Sequence, residues 1–255
     1  MTSFEQSTDL AALRSEYLNS GYVIARNIFR PEALSAIANT MRSTLNKGRA
    51  PGNESLDALI MEREVENHAL VYNSSHSLGS SAATYQLLGA SAILDLVASL
   101  ANYNIADLHM MPMYLLVQLP SDERFDYAWH QDGAYYQQWK ELVTLWFPIT
   151  HAANTKSGTI SCITGSHRDG LRPAETYKRH GFFRQIETDI DDTEMQKEDA
   201  FELEVGDCCI MHGHAVHRSI GNRSLVPRVS GIVRLVNMAR QDSYDRETLY
   251  CTHKS

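Results

Sequence analysis

His130 and Asp132, two positions apart in the octet WHQDGAYY, set an imidazole beside a carboxylate within an aromatic stretch. In an extended segment, side chains at i and i+2 point to the same side, so both can converge on one cation while Gln131 points away. An H-x-D pair alone is more often a polar turn at a strand end than a ligand pair, and metal chemistry requires a third ligand. The stretch CCIMHGHAVHRSIGN offers His212, His214 and His217. His212 and His214 share one face of an apolar strand. No Cys or Glu is spaced to complete a tetrahedral site with them, so histidines bonded to backbone or water are the plainer reading. His217 is set apart by two residues downstream of it: Ser219 two positions on, and Arg228 eleven positions on at the start of the next apolar run. Two His and one Asp make the 2-His-1-carboxylate facial set, which suits non-haem Fe(II) and leaves coordination positions open.

The order H-x-D, distal His, then Arg resembles the phytanoyl-CoA dioxygenase family of Fe(II)/2-oxoglutarate oxygenases. Three longer stretches are similar to that family as well: YLNSGYVIARNIFRPEALSAI, TLWFPITHAANTKSGTISCITGSHRDG and EVGDCCIMHGHAVHRSIGNRSLVPR. The likeness is weakest over residues 46–108 and 171–200. It implies iron ligation by His130, Asp132 and His217, and a bidentate hold of Arg228 on the distal carboxylate of 2-oxoglutarate, for which a planar guanidinium is suited. It further implies Ser219 as a second donor to that carboxylate and Trp146 as a wall of the co-substrate pocket. Fe(II), 2-oxoglutarate and O2 would then oxidise a C–H bond, with succinate and CO2 released. Halogenating relatives replace the carboxylate ligand by a small residue, so Asp132 favours hydroxylation, desaturation or ring formation. The sequence departs from the family at Thr164, where Pro usually precedes Gly-Ser-His, and at Thr155 to Gly158, where ENG is common. Both departures fall in turns.

Strand ends must present these residues. From residue 109 the chain becomes short apolar runs divided by turn signals (MPMYLLVQL, LVTLWFPIT, GTISCIT, FELEVGDCCIMH, RVSGIVRLV), the texture of a sandwich or barrel. Together with the resemblance this predicts one domain over 1–255, mainly β with flanking helices: a double-stranded β-helix (jelly-roll or cupin-like barrel) over 109–240, and a mostly helical flank over 1–108. In that flank, Leu10, Leu13, Tyr17 and Leu18 keep a helical period up to Gly21, YVIA reads as a strand, and Pro31 opens a helix carrying Leu34, Ile37, Met41 and Leu45. A further amphipathic helix is expected over Ser91 to Ala101. Residues 46–81 lack a clear period and read as loop, with one helical piece around Leu56 to Glu66.

The segment 171–200 reads as a lid-like insertion, with Phe182 and Phe183 as candidates for excluding water and its acidic residues as a solvated face. Tyr135 and Tyr136, directly after the ligand pair, are either packing aromatics or the beginning of the substrate pocket. Arg234 shares strand parity with Arg228, so it either holds an anionic group of the substrate or is ion-paired. His167 reads as structural.

A hydrophobic content of 43% supports a sizeable core. No basic run then apolar run opens the chain, and no stretch is long and apolar enough for a membrane span. Four scattered cysteines do not make a disulfide framework, so a reducing, cytoplasmic setting is expected. A net charge of −8 without a basic tract speaks against nucleic acid. The expected partner is a small molecule, bound by a monomer or homodimer. A metal-dependent cupin using no keto acid and a non-catalytic binding protein are the alternatives.

Overall fold

The computed structural model describes residues 10–48, 54–89, 91–137, 139, 141–179 and 183–240. The chain begins with α1 (Leu10–Ser20), β1 (Tyr22–Ala25), α2 (Pro31–Leu45), α3 (Leu56–Leu78), α4 (Ala82–Leu88) and α5 (Ser91–Ala101). It continues with β2 (Leu108–Met110), β3 (Tyr114–Gln118), β4 (Leu142–Pro148), β5 (Thr159–Ile163), β6 (Glu175–Arg179), β7 (Phe183–Glu187), α6 (Asp192–Met195), β8 (Glu198–Ala200), β9 (Cys208–His212), β10 (His217–Ile220) and β11 (Arg228–Asn237).

Two antiparallel sheets carry the site. The larger runs β1-β9-β4-β11-β2, with β3 also on β11; the smaller runs β10-β5-β8. Strand parity divides the larger sheet. Val143, Leu145 and Phe147 of β4, with Val229, Val233 and Leu235 of β11, pack in the core shared with the helices. Their neighbours Thr144, Trp146, Ile232 and Arg234 line a cavity instead. The adjacent cysteines split the same way: Cys208 packs on the helix side and Cys209 with the inner cluster around Trp146, Ile160 and Cys162. Cys162, Cys208 and Cys209 are buried free thiols. This is the jelly-roll type of architecture expected from the sequence.

Several local readings need correction. Of MPMYLLVQL only Tyr114–Gln118 is strand (β3); β2 ends at Met110, just before the stretch, and Pro112, which lacks the N–H a continuous ladder needs, stands between the two, which pair with successive parts of β11. β1 pairs with β9, so the N-terminal part supplies a sheet edge as well as a helical flank. Leu10 and Leu18 are exposed, and Tyr17 is the buried residue of α1. The largest miss is α3, which runs 23 residues where mostly loop was expected. Ser55 caps its start by accepting from Ala58 N–H, and Asn67, with φ −161° and ψ 88°, breaks the helix in two. A break shifts the phase of the buried face, so neither half sustains one period across the whole. The buried face after the break includes Ser74 and Ser75, which no hydrophobic pattern detects. Among the described residues, no single helix is long and apolar enough to cross a membrane.

Gly231 marks a tight approach of helix-side core to sheet: a Cβ there would lie 2.5 Å from Phe147 Cζ. Phe147 is fully buried and cannot swing away. Gly231→Val is therefore expected to destabilise by about 1–3 kcal/mol, the cost of overpacking a filled core. An unchanged urea midpoint at constant slope would contradict that contact.

Candidate metal centre

An antiparallel bridge brings the two histidines together. His130 N–H donates to His217 O and His217 N–H to His130 O, both at 2.9 Å, so the side chains of directly opposed residues project from one face. Their rings lie 4.2 Å apart between centroids. Each Nδ1–H donates to the carbonyl two residues earlier, His130 to Ala128 O at 2.7 Å and His217 to Ala215 O at 2.9 Å. That leaves each Nε2 lone pair presented, the tautomer a metal requires. Among the described residues, no protein group bonds to either Nε2.

Asp132 completes the set. Candidate ligand atoms of His130, Asp132 and His217 lie within 4.8 Å of one another, and all three residues are buried. The segment is not extended throughout, because Asp132 already begins a 3-10 turn (Asp132–Ala134). Gln131 does point away, as alternation predicted. Its Nε2 donates to Gly170 O at 2.8 Å and His214 O at 2.7 Å, and its Oε1 accepts from Arg172 N–H at 2.8 Å. Gln131 thus ties the ligand-bearing turn to two loops, a role its type alone did not suggest.

Both oxygens of Asp132 are held. Thr144 Oγ1 donates to Oδ2 at 2.5 Å and Arg234 Nη2 to Oδ1 at 2.8 Å. Burial would raise the Asp132 carboxyl, but Arg234, His217 and His130 together outweigh it and hold the group well below the usual carboxylate range. The group is therefore an anion matched to a cation, and the neutral imidazoles add two donors.

Burial, with His217 nearby, lowers His130 to about 3; burial, with His214 and His167 nearby, lowers His212 to about 4. An unfolded imidazole titrates near ~6.5, so on acidification the unfolded chain takes up these protons first. The stability they confer is complete above that value and declines as pH falls toward the folded values. Asp132 acts in the same direction lower down: its contribution is present above about 3.9 and lost as pH falls through the depressed folded value. The urea midpoint of the metal-free protein is expected to drop continuously from about pH 6.5 to pH 4, with a shallower drop in His212→Gln. A flat midpoint over that window would rule out neutral burial.

A cavity of about 260 Å³ opens beside these ligands. Trp146, Ser219, Tyr135, Tyr136 and Arg234 all lie on its wall, as do the three candidate ligands. Arg228 does not; its guanidinium carbon lies over the Trp146 indole, 5.1 Å from the ring centre. It is 4% exposed, bonded to Gln118, to Ser230 and, through Nε at 3.1 Å, to Ser157 O. Among the described residues no carboxylate pairs with it, and burial lowers its pKa to about 10. The Tyr135 ring stands perpendicular to that of His130, and its hydroxyl accepts from Ile186 N–H at 2.9 Å. Arg234 sits over the Tyr136 ring at 5.1 Å. Arg234 is thus ion-paired to Asp132, one of the two readings its parity allowed.

His212 and His214 do not line the cavity. His214 N–H donates to His212 Nδ1 at 3.0 Å, in keeping with the plainer reading. His167 Nε2 donates to Leu18 O at 3.1 Å, and Gly21, at φ +85°, leaves room for its ring. The segment 171–200 holds a β6–β7 hairpin followed by α6 and β8. Thr188 N–H donates to Trp129 O at 2.8 Å, fastening the hairpin's end to the ligand-bearing segment. Of the two lid candidates, Phe183 opens β7 and Phe182 lies outside the described residues. Sequence reasoning missed the opposite wall. There α3 supplies Glu64, His68, Tyr72 and His76, and Arg124 joins Glu64 at 2.8 Å and Asp122 at 2.6 Å. The i, i+4 spacing of Glu64 and His68 was the available signal, and it required a helix there to be read.

Among solved structures, the chain is similar to the epimerase SnoN in complex with Fe3+, alpha ketoglutarate and nogalamycin RO (TM-score 0.63, 17% identity, 91% of this chain and 85% of that one). It is also similar to EvdO2 from Micromonospora carbonacea var. aurantiaca complexed with 2-oxoglutarate (TM-score 0.63, 15% identity, 93% and 94%). EctD from S. alaskensis with 2-oxoglutarate and 5-hydroxyectoine is a third (TM-score 0.62, 13% identity, 92% and 79%). At these identities the likeness establishes a shared fold. Membership rests on sequence: phytanoyl-CoA dioxygenase (PhyH) matches residues 17–230, from the end of α1 into β11 and across all three candidate ligands. The chain belongs to the phytanoyl-CoA dioxygenase family.

Proposed function

We propose that the chain is a non-haem Fe(II)- and 2-oxoglutarate-dependent dioxygenase that oxidises a C–H bond of a small metabolite. The observation that carries this reading is the pairing of a buried His-Asp-His cluster with a buried arginine that has no carboxylate partner among the described residues. When bound, Fe(II), 2-oxoglutarate and O2 together supply oxidative decarboxylation to succinate and CO2 and the oxidising power for the substrate. His130, Asp132 and His217 hold the metal through Nε2, one carboxylate oxygen and Nε2. Arg228 receives the distal carboxylate beside Trp146, exchanging the neutral Gln118 acceptor for a charged one. Ser219, on the cavity wall, donates to the same group. Aromatic walls and the hairpin at Tyr135 keep water from the reacting atoms.

Hydroxylation is the proposed outcome. SnoN is named an epimerase and SnoK a carbocyclase, so stereochemical inversion and ring formation are the neighbouring possibilities. Buried free thiols support a reducing, cytoplasmic setting. Purified protein with Fe(II), O2 and 2-oxoglutarate is expected to release succinate at a basal rate that a suitable metabolite stimulates. Iron-loaded protein that leaves 2-oxoglutarate unchanged across a broad metabolite panel would instead favour a cupin-type enzyme using no keto acid.

A further inference from the structure

Arg234 is more than a counterion. Its guanidinium carries several N–H donors, and only Nη2 has an acceptor among the described residues, the Oδ1 of Asp132. Nε is buried without a partner, and the side chain is 15% exposed, on the cavity wall. Leaving such donors unmet in an interior is costly, so a structure that keeps them has a use for an acceptor. Asp132 already balances the charge, so the acceptor needs no negative charge of its own. The surroundings describe the rest of that molecule: the guanidinium sits over the Tyr136 ring, and Tyr114, Tyr127 and Trp146 line the same cavity. Such walls favour flat, apolar rings.

We propose that Arg234 is the substrate anchor, donating its uncommitted N–H groups to an uncharged carbonyl or ether oxygen of a flat, ring-containing substrate packed against Tyr136. The reading of the site as a dioxygenase underlies this assignment. With one edge of the guanidinium on Asp132 and another on the substrate, the anchor sets the distance between substrate and metal ligand.

The test is binding of matched probes to the full chain loaded with Fe(II) and 2-oxoglutarate without O2, read by tryptophan fluorescence. The pairs are 1-tetralone against tetralin and 9-fluorenone against fluorene, with decan-2-one as an acyclic ketone. Each ring ketone is expected to bind at least about ten-fold more tightly than its methylene partner, the worth of a hydrogen bond from a charged donor. In Arg234→Lys the ketone advantage should shrink while the hydrocarbon affinities hold. In Tyr136→Leu the preference for 1-tetralone over decan-2-one should shrink. Equal binding within the pairs, equal binding of decan-2-one, or no binding of either ring ketone overturns the proposal. If the Fe(II)–2-oxoglutarate complex itself does not form, as judged by its visible absorption, the dioxygenase reading fails. The same titrations on the metal-free protein then decide the anchor independently.

Discussion

Asp132→Ala is expected to lose iron and, in the metal-free protein, to lose about 3–5 kcal/mol of stability, the cost of stranding one partner of a buried ion pair. The stranded group is Arg234, whose side chain is 15% exposed and whose one committed hydrogen bond among the described residues goes to Asp132. Thr144 Oγ1 loses its acceptor at the same time. The two losses separate in a double variant. Asp132→Ala with Arg234→Met removes the orphaned cation and should recover most of the metal-free stability, because a well-packed apolar pair is often as stable as a buried ion pair. It should recover none of the iron retention. Urea denaturation of the metal-free proteins and iron content after desalting give both readings. If Asp132→Ala retains stoichiometric iron, Asp132 is not a ligand. If the double variant is as unstable as the single one, the ion pair is not what Asp132 contributes to the fold.

Arg228→Met is expected to raise the 2-oxoglutarate concentration for half-saturation by about 100-fold or more, the scale of losing a bidentate, charge-assisted pair, and to leave iron content unchanged. The cation is already buried among the neutral acceptors Gln118, Ser157 and Ser230, and burial has lowered its pKa to about 10. Much of the desolvation has therefore been met before the co-substrate arrives, and an incoming carboxylate supplies the missing countercharge. Arg228→Lys should recover only part of the affinity, since an ammonium cannot match a carboxylate with two parallel bonds. A half-saturation unmoved by Arg228→Met would remove the keto-acid anchor and favour an enzyme that uses the same metal ligands without it.

The unevenness of what could be read in the sequence stems from the range of the interactions involved. Alternation along β11 put Arg228 and Arg234 on one face, and both turn away from the helix-side core. The H-x-D pair, the later His and the Arg kept their order and spacing, and the structure gathers the first three into one cluster. The wall formed by α3 escaped notice because Asn67 breaks its period and because Ser74 and Ser75 are buried without being apolar.

By itself, then, the sequence determined which residue types can hold a metal, which strand face carries the arginines, and that sheets rather than helices present them. Each of these comes from local periodicity or from short spacing, which side-chain alternation imposes wherever the chain is extended. Tertiary structure alone decided which partner each group takes. It set Arg234 on Asp132 across 102 positions of chain, put Arg228 over the Trp146 ring and off the cavity wall, and brought α3 over the cavity. Those outcomes depend on strand register and on packing between distant segments, where charge and shape select among faces that local pattern leaves equivalent.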